Sequence, residues 1–187
     1  MKATVLGLAL ILAASVTRAE IYEIASGNGD ISFSVKHLML SNAKGKFNKY
    51  QGTVELDANN NLVAAEVTID ASSIDTNNEK RDKHLMNEDF FNITKFANIT
   101  FKSTAVKKTG DGAYDLTGNL NVLGKDHEIT IPVSISGPVE AFGSQRIGFT
   151  CQTDLDRFDI GINYGKPATI GKKVKVDIEV QGVQQKK

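Results

Sequence analysis

The chain reads VKVDIEV at residues 174–180, a strict alternation of apolar and charged side chains. Side chains of a β-strand point alternately to its two faces, so the apolar residues here share one face and the charges share the other. A strand with one dry and one wet face is typical of antiparallel sheets. The stretch therefore predicts an antiparallel strand that covers a core.

The same alternation recurs upstream, with turn-forming residues between the segments. It is found at residues 31–37, 43–57, 63–69, 99–105, 114–122, 129–135 and 147–155. Turns are expected at residues 57–61, 109–112 and 123–126, which are rich in Asn, Asp and Gly. Eight short strands with hairpin turns favour an all-β barrel or sandwich.

One of these strands changes the parity of its apolar positions. Gly45 and Phe47 occupy odd positions, whereas Val54 and Leu56 occupy even ones. An extra residue in the strand restores the facing, so the sequence predicts a β-bulge near residues 50–52.

A single helix is expected among the strands. Thr76 followed three residues later by Glu79 matches a capping box, which predicts a helix from Asn77 to about Met86. Phe90 and Phe91 follow directly. The segment either plugs an open barrel end or is a plain crossover that fills core.

Residues 1–19 predict a cleavable secretory signal peptide. Lys2 supplies a positive charge, residues 5–16 are almost entirely apolar, and Thr17 and Ala19 put small residues at a cleavage site. The run is shorter than the roughly 20 residues of a membrane span, and no later stretch approaches that length. We expect a secreted or periplasmic protein whose one domain covers residues 20–187.

Charge and composition exclude several classes of function. The 187 residues carry 22 basic and 22 acidic side chains, so no basic excess is available to hold nucleic acid. The single cysteine, Cys151, cannot form an internal disulfide. His37, His84 and His127 match no metal-binding spacing, and we expect neither metal nor cofactor. A hydrolase that uses these three histidines remains a less favoured alternative to a non-enzymatic protein.

The predicted inner face carries many small residues. They either leave an elongated apolar cavity or interdigitate with large side chains in a packed core. A cavity with such walls would accept a hydrocarbon chain rather than a sugar or nucleotide. The small inward residues are Gly45, Ala65, Ser103, Ala105, Gly118, Cys151 and Thr153.

Four ordered blocks resemble the YceI-like family of bacterial secreted proteins, from about Glu20 to Val180. The first is ISFSVKHL at residues 31–38, followed by GKF at 45–47 and Gly52. The most specific is TNNEKRDKHL at residues 76–85, which continues to DFF at 89–91. The others are GNL at 118–120 with Gly124, and RFDIGI at 157–162.

The resemblance implies a lipocalin-like, eight-stranded antiparallel β-barrel with a short helix inserted around residues 77–86. It also implies a carrier or scavenger of one long apolar ligand: an isoprenoid, an isoprenoid quinone or a fatty-acid amide. Family members are periplasmic or secreted and often dimeric. A homodimer through exposed apolar residues such as Tyr50 or Val106 is compatible with this. The alternative is a packed barrel that acts as a stress-related protein-interaction module.

We predict the site residues from the inner face together with this resemblance. The tunnel is expected to be lined by Phe33, Val35, Phe47, Val67, Ile69, Phe101, Leu120, Ile131, Phe149 and Cys151, with Leu85, Met86, Phe90 and Phe91 as a lid near the helix. Donors to a polar head group are expected among His37, Arg81, His84 and Arg157. A structural hydrogen bond or ion pair is the alternative role, because Arg81 adjoins Asp82 and Arg157 lies between Asp156 and Asp159.

Overall fold

The computed structural model describes residues 19–185, which fold into ten strands, one α-helix and one 3-10 turn. The strands are β1 (Glu20–His37), β2 (Ser41–Phe47), β3 (Tyr50–Leu56), β4 (Leu62–Asp70), β5 (Ile74–Asp75), β6 (Asn98–Gly110), β7 (Ala113–Val122), β8 (Lys125–Ala141), β9 (Ser144–Asp156) and β10 (Ile170–Gln184). The 3-10 turn is Ala71–Ser73, and helix α1 is Glu79–Met86.

Eight of the strands close into an antiparallel barrel, as predicted. Their order is β10-β9-β8-β7-β6-β4-β3-β1, and β1 pairs back onto β10. The two remaining strands, β2 and β5, continue the sheet beyond the second half of β1. The buried apolar side chains form one core cluster.

Strand β1 is longer than the alternation predicts, because a kink interrupts the pattern at residues 26–30. Residues 20–25 pair with β3, whereas residues 31–37 pair with β2. The register with β10 shifts between Ile24 and Gly29. Gly29 has a φ of 132°, and a β-carbon there would lie 2.1 Å from the Glu179 carbonyl oxygen. Only glycine permits this close approach of β1 and β10.

The predicted parity change is present, but it lies at Asn48 and Lys49 rather than at residues 50–52. There the chain leaves the sheet and separates β2 from β3. The Asn48 N–H donates to the Ser73 carbonyl at 3.1 Å, and the Lys49 N–H donates to the Ser73 hydroxyl at 3.0 Å. The 3-10 turn therefore satisfies the two backbone groups that the interruption would otherwise leave unpaired.

Two residues of the predicted inner rows face solvent instead. Val63 is 47% exposed and Leu62 is buried in its place, because the register of β3 with β4 shifts after Glu55. Ala105 is exposed because the register of β6 with β7 shifts between Ser103 and Ala105. Each shift moves the following side chains to the other face of the sheet.

The predicted capping box is wrong, although the helix is present. The N-cap is Asn78, whose side chain accepts the Arg81 N–H at 3.0 Å. Asn77 has a φ of 55°, which is outside the helical region, so α1 begins at Glu79. Thr76 is buried, and its N–H and hydroxyl both donate to the Asp82 carboxylate.

The predicted signal peptide falls almost entirely outside the described residues, which include only its last residue, Ala19. Across residues 19–185, no helix is long and apolar enough to cross a membrane.

Candidate ligand cavity and vestibule

An apolar cavity lies inside the barrel. Its volume is about 230 Å³. This exceeds the ~150 Å³ of an engineered apolar cavity that stays dry and binds benzene. Its walls are almost entirely aliphatic and aromatic carbon, so it favours a hydrocarbon over a polar molecule.

The structure places all but one of the predicted tunnel residues on the cavity wall. The exception is Met86, which packs against the core and whose carbonyl accepts the Ile93 N–H at 3.0 Å. The residues that do line the cavity are Phe33, Val35, Phe47, Val67, Ile69, Leu85, Phe90, Phe91, Phe101, Leu120, Ile131, Phe149 and Cys151.

Several wall residues are absent from the sequence-based prediction. Ile24 lies in the half of β1 that the interrupted alternation hides. Ile160, Ile162 and Ile170 come from the connection between β9 and β10 or its end, where no period of two marks them. In the sequence, only the family-like block at residues 157–162 pointed to this region.

The small inward residues are only partly responsible for the cavity. A β-carbon at Gly118 would lie 2.6 Å from Phe101 Cζ, so this glycine makes room for an aromatic ring rather than for a ligand. The Ser103 hydroxyl accepts the Ala65 N–H at 2.9 Å. Large and small residues therefore interdigitate along part of the wall, and the cavity is the space that remains.

Cys151 is an unreactive part of the wall. Burial raises the pKa of its thiol to about 11, with a further contribution from the Asp177 charge. The thiol is therefore protonated at neutral pH and acts as a small apolar group.

A second space, which we call the vestibule, adjoins the cavity where β1 ends and β10 begins. It measures about 410 Å³ and shares Phe33, Val35, Leu85, Phe90 and Ile170 with the cavity wall. Its other lining residues include Thr76, Asn78, Lys36, His37, Lys80, Arg81 and His84. Basic side chains line this space and no carboxylate is among its lining residues.

Helix α1 and the residues after it form a lid over this end of the barrel. Leu85, Phe90 and Phe91 line the cavity. The His84 ring stands edge-on to Phe90 and Tyr164, with ring centres 5.1 and 4.9 Å away. His84 Nε2 also lies 2.9 Å from Asp89 Oδ2. These contacts favour a plug over a plain crossover.

Arg81 is held at the vestibule wall by Thr76. Its Nε donates to Thr76 Oγ1 at 2.8 Å, and its Nη2 donates to the Thr76 carbonyl at 2.8 Å. The Thr76 hydroxyl donates in turn to Asp82. Arg81 therefore makes the structural hydrogen bonds that the sequence offered as an alternative to head-group donation. Its Nη1 makes no hydrogen bond to another described residue.

Arg157 makes structural hydrogen bonds with all three of its side-chain nitrogens, the role that the sequence offered as the alternative to head-group donation. It is 2% exposed, and burial lowers the pKa of its guanidinium group. Its three nitrogens make five hydrogen bonds of 2.7–3.1 Å to backbone carbonyls rather than to the carboxylates of Asp156 and Asp159. The acceptors are the carbonyls of Ile162, Tyr164, Gly165, Ile170 and Gly171.

The three histidines do not form one site. His37 and His84 both line the vestibule, whereas His127 lies on β8 opposite Leu120 and lines neither space. Among residues 19–185, no group of three His, Cys, Asp or Glu side chains is placed to hold a metal ion.

Neither residue suggested for a dimer contact is an exposed apolar side chain. Tyr50 is buried, and its hydroxyl donates to the Gly29 carbonyl at 2.6 Å. Val106 is half-buried and packs against the core.

A closed eight-stranded barrel with an apolar interior and a polar mouth defines a class of small proteins that can enclose one ligand. The YceI-like domain matches residues 22–182, and the chain belongs to this family. A UPF0312 protein from Shewanella denitrificans is 35% identical over 98% of this chain and 97% of its own length.

Solved structures share the fold. The Campylobacter jejuni YceI protein superposes with a TM-score of 0.74 at 28% identity, covering 81% of this chain and 90% of its own. A polyisoprenoid-binding domain from Saccharophagus degradans, implicated in plant cell wall breakdown, superposes with a TM-score of 0.68 at 15% identity. That comparison covers 88% of this chain and 99% of the other.

Proposed function

We propose that this protein binds one long-chain apolar lipid, with its tail in the cavity and its polar head in the vestibule. The observation that carries the proposal is that an apolar cavity adjoins a basic vestibule, the two spaces sharing wall residues. The two spaces together have the size usual for ligand pockets, about 300–1,000 Å³. The shared fold of a polyisoprenoid-binding domain supports an isoprenoid tail.

Burial of the tail supplies the binding energy. Each buried methylene contributes roughly 0.8 kcal/mol, so a long chain gains much gross free energy. Ordering a flexible chain and restricting its motion offset a large part of this gain. We therefore expect binding that selects tail polarity strongly and tail length only coarsely.

The vestibule favours an anionic head group over a neutral one. Lys36, Lys80 and Arg81 line it together with two histidines, and no lining residue carries a negative charge. Because Thr76 holds the Arg81 guanidinium in place, its Nη1 is a preorganised donor for a phosphate oxygen. A quinone or amide head group would accept hydrogen bonds from fewer of these donors.

We propose carriage or scavenging without chemical transformation. The cavity wall offers a protonated thiol at Cys151, and His84 of the vestibule contacts Asp89 and the ring of Tyr164. The predicted signal peptide supports a periplasmic or secreted location for this activity.

Native mass spectrometry of detergent-free protein tests the proposal. We expect a mass excess that disappears on denaturation and a hydrocarbon-rich species in the organic extract. Phe101→Trp narrows the cavity and should lower the bound fraction, whereas Phe142→Trp, at a 94% exposed position, should leave it unchanged.

An empty spectrum after incubation with prenyl phosphates, quinones and fatty amides would contradict lipid binding and favour a packed interaction module. Equal retention of a prenyl alcohol and its phosphate would contradict the head-group assignment while keeping the tail site.

A further inference from the structure

The hairpin tip between β1 and β2 presents apolar side chains beside the vestibule. Leu38, Met39 and Leu40 are 51%, 64% and 86% exposed. They follow directly after His37, which lines the vestibule. The mouth of the ligand space is thus flanked by an apolar tip, which we call the Leu38–Leu40 tip.

The backbone of this tip does not suit the residues that form it. The Leu40 N–H donates to the His37 carbonyl at 3.1 Å, and Leu38 and Met39 have φ values of 51° and 57°. A turn with positive φ at both central residues favours Asn-Gly, because a β-carbon strains this conformation.

Two other hairpin turns of the chain use glycine at the second such position. They are Leu123-Gly124 between β7 and β8, and Phe142-Gly143 between β8 and β9. The side chains of the Leu38–Leu40 tip are largely exposed, so packing within the chain does not account for the strain.

The two chain segments that flank the tip are basic. Residues 31–54 and 160–176 contain lysines and histidine but no Asp or Glu. The two segments are neighbours, since β1 pairs with β10 and the Leu38 N–H donates to the Thr169 carbonyl at 2.8 Å. Two of their lysines, Lys46 and Lys173, contact carboxylates. The others near the tip, Lys36, Lys44, Lys166 and Lys172, form no ion pair with the described residues.

We propose that the Leu38–Leu40 tip docks onto an anionic lipid bilayer and so places the vestibule at the membrane, where the ligand transfers. Exposed leucine and methionine enter the acyl region, and the surrounding lysines contact anionic head groups. The transfer step rests on the proposed function, whereas the docking step requires no bound ligand.

Co-sedimentation with vesicles tests the docking. We expect the protein to bind phosphatidylcholine vesicles that contain phosphatidylglycerol, to bind pure phosphatidylcholine weakly, and to lose binding as salt is raised. The double variant Leu38→Asn, Met39→Gly should lower binding by about tenfold or more, because two apolar side chains leave the lipid. Its thermal midpoint should stay equal or rise, because Asn-Gly suits the turn.

Two further variants test the electrostatic contribution to vesicle binding and control for the position of the substitution. Lys44→Gln should weaken binding to anionic vesicles by about fivefold, the effect of one lysine near an anionic surface. Phe142→Ser is the matched control, because Phe142 is 94% exposed at the opposite end of the barrel. It should bind vesicles as the unaltered protein does.

Unchanged vesicle binding in the double variant, or loss of binding in Phe142→Ser alone, would overturn the proposal. A further result would also overturn the proposal. If the double variant changes its mass in light scattering and no variant binds vesicles, the tip sets the oligomeric state instead. Native mass spectrometry separates the two proposals. If the protein carries a lipid but does not bind vesicles, the docking proposal alone is contradicted. If the protein binds vesicles but carries no ligand, the proposed function alone is contradicted.

Discussion

Gly45 lies directly opposite Phe33 on neighbouring strands, and a β-carbon at residue 45 would come within 2.6 Å of Phe33 Cζ. The Phe33 ring lines both the cavity and the vestibule. The absence of a side chain at residue 45 therefore sets the position of a ring that stands between the two spaces.

Gly45→Ala is expected to displace the Phe33 ring and lower the free energy of unfolding by about 1–3 kcal/mol, the usual cost of overpacking. Denaturant unfolding measures the stability, and native mass spectrometry measures the lipid bound. Gly110→Ala is the matched control, because its nearest contact would be an ordinary 3.5 Å and it should be nearly neutral. Equal stability of the two variants would contradict the assigned packing.

Arg157→Lys is expected to destabilise the protein strongly. Lysine has three donors and no planar fork, so it leaves several of the five carbonyl contacts unmade in a buried site. We expect a loss of about 3 kcal/mol in the free energy of unfolding. Arg146→Lys, at a half-buried position, should cost much less. A lipid-binding defect in Arg157→Lys with unchanged stability would instead indicate a head-group donor.

Cys151 should resist alkylation at neutral pH. Burial raises the pKa of its thiol to about 11, so the reactive thiolate is scarce until the pH approaches that value. Because the folded-state pKa lies above the ordinary thiol pKa of 9.0, the protonated thiol favours folding below pH 9, and this contribution disappears as the pH rises through 11. The reactivity of the thiol is measured from its rate of labelling with iodoacetamide at pH 7–10, with urea-unfolded protein as the control. Fast labelling of the folded protein at pH 7 would contradict the buried placement.

Asn78→Ala should destabilise α1 by about 1 kcal/mol, because the Arg81 N–H loses its capping acceptor. Asn77→Gly is the paired control and should be neutral or stabilising, because glycine adopts the φ of 55° without strain. Thermal unfolding compares the two. An unchanged stability of Asn78→Ala would contradict the assignment of Asn78 as the N-cap.

Most of the barrel wall was predictable because alternation is a local property of each strand. Val35, Phe101 and Phe149 lie where the period of two puts them. The failures occur at Val63 and Ala105, where a register shift moves side chains to the other face. Such shifts depend on the pairing with a neighbouring strand, which a single segment does not encode.

The sequence by itself determined eight alternating segments, most of their dry faces, the existence of α1 and the resemblance to a family. Only the tertiary structure decided that Arg157 binds carbonyls and that His37 and His84 meet at one vestibule while His127 stays apart. The physical reason is distance along the chain. Side-chain direction follows from local backbone geometry, whereas the convergence of residues 37, 84 and 170 requires closure of β1 onto β10 and the fold of the lid above them.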